Sequence, residues 1–378
     1  MCPGGGAPEA GDQEAERYMA EALRLAESGV GAVSPNPAVG AVIVRGDTVV
    51  GRGCYARFGA EHAEVVALRE AGDRAAGATV YVTLEPCCHW GRRPPCVDAL
   101  VAAEVARVYC AMRDPDPAVD GGGMAALRQA GIETSEGVLE AGARRLNEAY
   151  IRHRTTGRPF VALKMAVTAD GKTATRTGES QWITGEAARS RVHELRHAAD
   201  AVLVGVGTVL ADDPILTCRL PDGGIDSVAV VADSKARTPP TARVVQRRSP
   251  AATIIATTGH APVQRLDALR NAGAELLLCE DRDGRVEPGD LLGKLAAMGR
   301  INIVCEGGAT LAAALVEGGH VQKIYFFLAP KLVGGVSAPT ALGGDGAEHL
   351  AQGIRLDQVR VEQIGPDVLY EGYVCSPE

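Results

Sequence analysis

The chain has 378 residues, enough for two domains with separate cores. Its 46% hydrophobic and 23% charged content are those of a soluble globular protein. A net charge of −8 argues against a dedicated nucleic-acid binder, which would show a basic face, but leaves room for a local basic pocket.

The first stretch, "MCPGGGAPEAGDQEAE", is polar, Gly-rich and acidic and lacks the order of a signal peptide. Residues 1–13 are expected to form a flexible tail. No apolar run approaches the about 18 residues needed to cross a bilayer. A cytoplasmic location is expected, with the ten cysteines as thiols or ligands. Cys2, Cys110, Cys218, Cys279, Cys305 and Cys375 stand singly and read as small buried hydrophobes.

Helix and strand alternate through the first half. "AERYMAEALRLAES" has helical apolar spacing, and "PAVGAVIVRGDTVVGRG" reads as two strands joined by a Gly-Asp turn. "HAEVVALREAG" is a helix closed by Gly72. Strand "ATVYVTL", helix "CVDALVAAEV", strand "ARVYCAM" and helix "MAALRQAG" follow. This is an α/β domain, placed at 14–150. The basic, turn-rich "YIRHRTTGRP" (150–159) marks the boundary.

A second α/β domain is placed at 158–378. Its expected strands are "FVALKMAVT", "DAVLVGVG", "SVAVVAD", "ATIIATT", "AELLLCE", "INIVCEGG" and "KIYFFLAP". Its expected helices are "GEAARSRVHELRHAA", "VQRLDALRNAG", "DLLGKLAAMG" and "ATLAAALVEGG", and "DVLYEGYVC" is read as a last edge strand.

Three features of the first domain carry chemistry. "HAE" opens a helix at His62, "PC" follows a strand at Cys87, and "PPC" ends at Cys96. His-x-Glu followed by Pro-Cys and a second cysteine marks zinc nucleobase deaminases, the Glu being the general acid/base. One imidazole and two thiolates suit Zn²⁺ and leave a fourth position for water. Glu64 is then placed to move a proton to a leaving amine. Each fragment alone is weak, since a Glu in a helix's first turn is common anyway; their order and spacing carry the reading. Cys88 is read as packing or as support behind the ligands. His89 is the rival fourth ligand of a closed structural site, which would have no use for Glu64. The loop "CHWGRRPP" with His89, Arg92 and Arg93 suits an anionic substrate; its plain alternative is a solvated charged loop.

In the second half, "VLVGVGTV" is a weak dinucleotide signal. "INIVCEGGATLAAALVEGG" places Gly-Gly between a strand and an Ala-rich helix, which suits either a pyrophosphate at the helix N-terminus or close helix–sheet packing. The full Rossmann pattern is missing, which favours another nicotinamide fold.

The stretches "SPNPAVGAVIV", "HAEVVALREAG", "VYVTLEPCCHWGRRPPC", "RDPDP", "LKMAVTADGKTATRTGESQWIT", "GVGTVLADDPILTCR", "EGGATLAAALVEGG" and "APKLVGG" resemble the bifunctional riboflavin-biosynthesis deaminase–reductase family over roughly 16–378. The resemblance implies an α/β fold of two domains. The first is a cytidine-deaminase-like α/β/α sandwich holding one zinc, and the second a dihydrofolate-reductase-like domain using NADPH. It implies deamination of 2,5-diamino-6-(5-phosphoribosylamino)pyrimidin-4-one, then reduction of its ribosyl chain to ribityl. It carries over His62, Cys87 and Cys96 as ligands, Glu64 as catalytic acid/base, and Asn36 at the substrate; His89 and Arg92 are placed at the substrate by the basic character of their loop.

For the reductase, it assigns Ala166, Trp182, Thr208, Asp212 and Ser234 to the cofactor. Gly308, Ala309, Thr310, Leu311, Ala312, Ala313 and Ala314 join them. Ser180, Arg196, Leu216, Arg219 and Glu306 go to the substrate; Lys164, a polar residue beside apolar strands, is placed with them, and Asp212 is also taken as catalytic. Arg196 and Arg219 make sense as a phosphate clamp, with an exposed helix face as the alternative for Arg196. Trp182 would serve equally as core, and Asp212 as a turn cap in "ADDP". The expected partners are a small phosphorylated pyrimidine and further copies of the chain, with no nucleic acid and no membrane. Val66 and Tyr55 stand where the family often has histidines, which affects the pocket rather than the zinc.

Three rivals remain. A deaminase with a merely supporting second half is disfavoured by intact "DGK", "ESQWIT" and "EGGATL". A nucleic-acid deaminase is disfavoured by the charge and by the 4% aromatic content. A zinc module without catalysis would release no ammonia.

Overall fold

The computed structural model describes residues 10–91, 93–221 and 223–375. The chain forms two compact units, Met1–Gly157 and Arg158–Glu378.

The first unit contains α1 (Ala10–Glu27), β1 (Gly40–Arg45), β2 (Thr48–Cys54), α2 (Ala63–Ala71), β3 (Thr79–Val82) and α3 (Cys96–Ala102). It continues with β4 (Arg107–Cys110), α4 (Gly122–Gln129), β5 (Glu133–Glu136), α5 (Glu140–Leu146) and α6 (Glu148–Thr156). The sheet runs β2-β1-β3-β4-β5. β1 is antiparallel to β2 and β3, while β3, β4 and β5 are parallel.

Alternation along β1 sends Ala41 and Ile43 to one face, where they pack on Ala63 and Ala67 of α2 and Leu100 of α3. Val42 and Val44 face the other way, onto Tyr18, Met19 and Ala22 of α1. Both faces are covered, giving the three-layer α/β/α sandwich. Gly53 positions the chemistry: a Cβ there would lie 2.0 Å from the Ala63 carbonyl oxygen. Only glycine lets the start of α2, with His62 and Glu64, rest on the β2 backbone.

Two expectations about the ends of this unit need correction. Residues 10–13, assigned to the tail, open α1, whereas 1–9 lie outside the described residues. The segment from residue 150, read as turn-rich, is helical to Thr156. Tyr150 is buried there and donates its hydroxyl to Asp114 Oδ1 at 2.8 Å, which anchors α6.

The second unit contains β6 (Phe160–Thr168), α7 (Glu186–Ala198), β7 (Ala201–Gly205), α8 (Val206–Asp212), β8 (Val228–Ala232), β9 (Thr253–Thr257), α9 (Val263–Asn271) and β10 (Glu275–Leu278). A small hairpin follows, β11 (Asp281–Arg282) with β12 (Arg285–Val286). Then come α10 (Pro288–Ala297), β13 (Asn302–Cys305), α11 (Ala309–Glu317), β14 (Lys323–Ala329), β15 (Leu356–Ile364) and β16 (Asp367–Val374).

Nine strands form one sheet in the order β10-β9-β8-β7-β13-β6-β14-β16-β15. Neighbours are parallel from β10 through β14, and the last two strands are antiparallel additions. The parallel strands read as continuous apolar runs because both faces are covered. Leu203, Val230 and Ile254 pack under α10 and α11, and Val204, Val231 and Ile255 under α8 and α9. β16 is not the edge strand expected: β15 lies outside it, although seven of its nine residues are exposed.

Candidate active sites

The first site gathers at the start of α2 and α3. His62 is the residue before α2, in extended conformation, and its imidazole caps no amide. Cys87 follows β3, and Cys96 is the first residue of α3. One donor atom from each lies within 4.8 Å of the others. His62 Nδ1 is 3.1 Å from Cys96 Sγ and 3.6 Å from Cys87 Sγ. The Cys96 amide donates to Cys87 Sγ at 3.3 Å. Hydrogen bonding from the Cys96 thiol, with His62 and the Cys96 amide, outweighs burial and pulls the Cys87 thiol below its ordinary value. A soft, closely spaced His/Cys/Cys set with one thiolate stabilised fits zinc, with a coordination position left for water.

Glu64, in the first turn of α2 and two residues from His62, is 3% exposed, and burial raises its carboxyl above the ordinary range. Cys88 does not join the ligands. It packs against the core beside α2–α4, with Sγ 3.0 Å from where a Gly122 Cβ would sit. His89 is exposed and outside the cluster, so a closed four-ligand site does not form among the described residues. Arg92 lies outside the described residues. Arg93 donates Nη2 to the Gly59 carbonyl at 3.3 Å.

Asn36 donates Nδ2 to the Tyr55 hydroxyl at 2.9 Å, and the Gly59 amide donates to the same oxygen at 2.8 Å. The Tyr55 ring stands edge-on to His62 at 5.7 Å, linking Asn36 to the ligand set. Val66 sits on α2, where its amide donates to the His62 carbonyl.

Sequence reasoning missed Glu85. Its buried carboxylate accepts from the amides of Asp114, Gly121 and Met124 at 3.2, 2.9 and 3.0 Å. It ties the loop carrying Cys87 to α4 and to the loop after β4. The signal was present in "EPCC", an acid between a strand and a Pro-Cys pair.

The second site is a cavity of about 1380 Å³ at the carboxyl ends of β6, β7, β8 and β13, where ligands of parallel sheets sit. Lys164, Ala166, Ser180, Trp182, Arg196, Thr208, Asp212, Leu216, Arg219, Ser234 and Glu306 all line it. So do Gly308, Ala309, Thr310, Leu311 and Ala314. Ala312 and Ala313 do not: helical periodicity turns them away from the cavity, buried, with Ala312 in the sheet core.

The Gly-Gly pair divides its roles. A Cβ on Gly307 would lie 2.8 Å from Val204 Cα, so this glycine serves close packing of β13 on β7. Gly308 has φ +62 and turns the chain into α11 at the cavity wall.

Glu306 accepts from Arg196 Nε at 2.6 Å and Nη2 at 2.9 Å, with Lys164 Nζ at 3.8 Å. Burial would raise the Glu306 carboxyl, but the two cations win and hold it at about 2. Burial also lowers the Lys164 ammonium. Arg196 donates Nη1 to the Thr217 carbonyl as well, at 3.0 Å. Its fork is therefore taken, and it is neither half of a free phosphate clamp nor an exposed helix face. Arg219 is the exposed guanidinium, with Nη2 3.3 Å from His193 Nε2. Burial, Arg196 and Arg219 keep His193 low, at about 4. His193 lines the cavity and carried no sequence signal.

Ser180 donates Oγ to Asp212 Oδ1 at 2.6 Å. Trp182 is 61% exposed rather than core, with the Arg189 guanidinium 4.7 Å from its ring centroid. Ser234 Oγ accepts from the Val286 amide at 2.9 Å. The basic lining at this end suits an anionic group, and the glycine- and alanine-lined start of α11 suits a pyrophosphate.

Comparison with known proteins follows the same division. Residues 12–112 match the cytidine and deoxycytidylate deaminase zinc-binding region, and residues 159–370 match the RibD C-terminal domain. The chain is 43% identical over 360 residues to the riboflavin biosynthesis protein RibD of Actinobacillus pleuropneumoniae, covering 95% of each chain. It is 41% identical over 365 residues to that of Escherichia coli K12, covering 93% of this chain and 97% of the other. The solved structure of Acinetobacter baumannii RibD aligns with a TM-score of 0.85 at 36% identity, over 97% of this chain and all of that one. A Thermotoga maritima structure described as a diaminohydroxyphosphoribosylaminopyrimidine deaminase/5-amino-6-(5-phosphoribosylamino)uracil reductase aligns at 0.84 and 34%, with the same coverage. The chain belongs to the RibD family, the bifunctional zinc deaminases and NADPH-dependent reductases of riboflavin biosynthesis.

Proposed function

We propose that the first unit hydrolyses the 2-amino group of 2,5-diamino-6-(5-phosphoribosylamino)pyrimidin-4-one and that the second reduces the ribosyl chain of the product. The substrate is named by the Thermotoga relative's description and supported by the chemistry of both sites.

His62, Cys87 and Cys96 hold the zinc. When bound, the metal makes water acidic enough to act as a nucleophile near neutral pH. Glu64 takes a proton at its carboxylate and returns it to the departing amine. Its burial raises its proton affinity towards the range useful for that transfer. Asn36, oriented by Tyr55, contacts the pyrimidine. His89 and Arg93 of the basic loop offer charge for the phosphate.

With NADPH bound, the cofactor would supply hydride to the sugar C1 as the bond from that carbon to the ring oxygen breaks and the freed oxygen takes a proton. Asp212, held by Ser180, carries the proton that completes the reduction. Lys164, Arg196 and Glu306 form the fixed polar wall beside the sugar. Arg219 meets the phosphate, and Leu216 packs against the substrate. Trp182, Thr208, Ala166 and Ser234 would border the cofactor, and Lys235 and Arg237, which line the same cavity, would supply charge for its 2′-phosphate. Small residues at Gly308, Ala309 and Thr310 leave room for the pyrophosphate.

The cellular setting is the cytoplasm, where thiolate ligands persist and cysteines stay reduced. No described helix is long and apolar enough to cross a membrane. The acidic charge argues against nucleic acid as a partner. A homo-oligomer is supported by β15, an edge strand whose Val361 is 66% exposed.

The observation that carries this reading is the convergence of His62, Cys87 and Cys96 beside buried Glu64. Ammonia release from the diaminopyrimidine phosphate tests it, measured before and after removal of zinc by a chelator. Release that depends on zinc but not on NADPH is expected. Ammonia release unaffected by zinc removal would contradict it.

A further inference from the structure

The hairpin at the cavity's edge has an unfavourable feature. Asp283 has φ +55 and Gly284 φ +76, the two positive angles of a tight two-residue turn. Asp281 Oδ1 accepts from the Gly284 amide at 2.9 Å and steadies it. In this register Arg282 stands directly opposite Arg285. Opposed residues of an antiparallel pair project from one face, and like charges placed so repel. Both arginines line the large cavity and both are exposed.

The hairpin is fastened to the loop after β8, since the Val286 amide donates to Ser234 Oγ. That loop brings Lys235 and Arg237 to the same cavity. It is held by Asp233, whose Oδ2 accepts from the Thr238 amide and hydroxyl at 2.6 and 2.8 Å. Among the described residues none of these four cations forms an ion pair. The acids alongside are Asp283, at the turn, and Glu287. Glu287 is engaged by the Asp290 amide at the start of α10.

We infer that Arg282 and Arg285 form, with Lys235 and Arg237, a site for a phosphate monoester on a ribose. This rests on the reading of the second unit as a nicotinamide reductase, and makes the hairpin its selector for NADPH over NADH. A dianion between two opposed guanidiniums turns their repulsion into shared attraction, and each fork matches phosphate oxygens. NADH offers only a neutral hydroxyl at that position.

The test is Arg282→Ala with Arg285→Ala in the full chain, leaving the Asp283–Gly284 turn intact. Dissociation constants are measured by fluorescence titration for NADPH and NADH. Competition by 2′,5′-ADP and 5′-AMP isolates the phosphate. Loss of two charge-assisted contacts should weaken NADPH and 2′,5′-ADP by about 10- to 100-fold, leaving NADH and 5′-AMP within about twofold. The advantage of 2′,5′-ADP over 5′-AMP should also lose part of its salt dependence. Equal weakening of NADPH and NADH would overturn the inference and make the hairpin a shaping element. Unchanged binding of both would place the phosphate elsewhere. Arg282→Lys with Arg285→Lys separates charge from fold: it should keep most of the preference, and complete loss with unchanged thermal stability would also count against the inference. Failure of the wild-type chain to bind either dinucleotide would instead remove the underlying reading.

Discussion

Arg196 and Glu306 form a two-pronged ion pair in the wall of the second cavity, at 2.6 and 2.9 Å, with 11% and 7% of their side chains exposed. Lys164 stands 3.8 Å from the same carboxylate. One anion thus holds two nearly buried cations.

Replacing Glu306 with Gln should therefore damage the fold as well as the reductase. The amide keeps the shape but leaves two buried cations without their anion, at a cost of about 3–5 kcal/mol. The pH profile gives the sign. A carboxyl held at about 2 contributes stability that is fully present above its ordinary value of 4.5 and is lost as pH falls towards 2. Thermal melts of the wild type should fall in that window, and Glu306→Gln should lose that component. Equal stability of the two proteins at neutral pH would show that the pair adds nothing.

At the metal site the expectation divides two adjacent cysteines. Cys87→Ser should lose zinc and deamination together, because it removes the stabilised thiolate. Cys88→Ser should keep both, because its sulfur faces Gly122 and the core. Elemental analysis of both variants decides: zinc retained in Cys87→Ser and lost from Cys88→Ser would reverse the assignment.

Glu64→Gln should keep zinc and lose deamination by ~10²–10⁴-fold, the usual contribution of a general acid/base. Reduction of supplied deaminated substrate should be unchanged, since the cavity lies in the other unit. A deamination rate equal to wild type would remove Glu64 from the chemistry.

The double change Lys235→Ala with Arg237→Ala should raise KM for NADPH with little effect on NADH. Steady-state kinetics at two ionic strengths read this directly. The salt dependence of NADPH binding should weaken, because exposed charges act through a screened field. Parallel changes for both cofactors would mean that residues 233–237 support the fold.

Strong periodicity and turn chemistry made the central elements legible. β6, β7, β8 and β13 are apolar runs that only a doubly covered sheet accommodates, and α2 is closed by Gly72 as expected. The zinc ligands were legible because their chemistry is local to short motifs. Elements defined by pairing alone were not. β5 is "ETSE" and β15 is "LDQVRVEQI", both too polar to announce a strand. Arg196 shows the other limit. Its identity suggested phosphate, but its partner lies 110 residues away, and only the folded sheet brings Glu306 to it. The opposed arginines of the hairpin needed the register, which a one-residue slip would have abolished.

The most direct measurement is the mass of the products formed from the diaminopyrimidine phosphate by the purified chain. Without NADPH the account predicts the deaminated pyrimidine with its ribosyl chain intact, and one ammonia per turnover. With NADPH it predicts the deaminated pyrimidine carrying a ribityl chain. Unaltered substrate in both incubations, from protein shown to contain zinc and to bind NADPH, would contradict it.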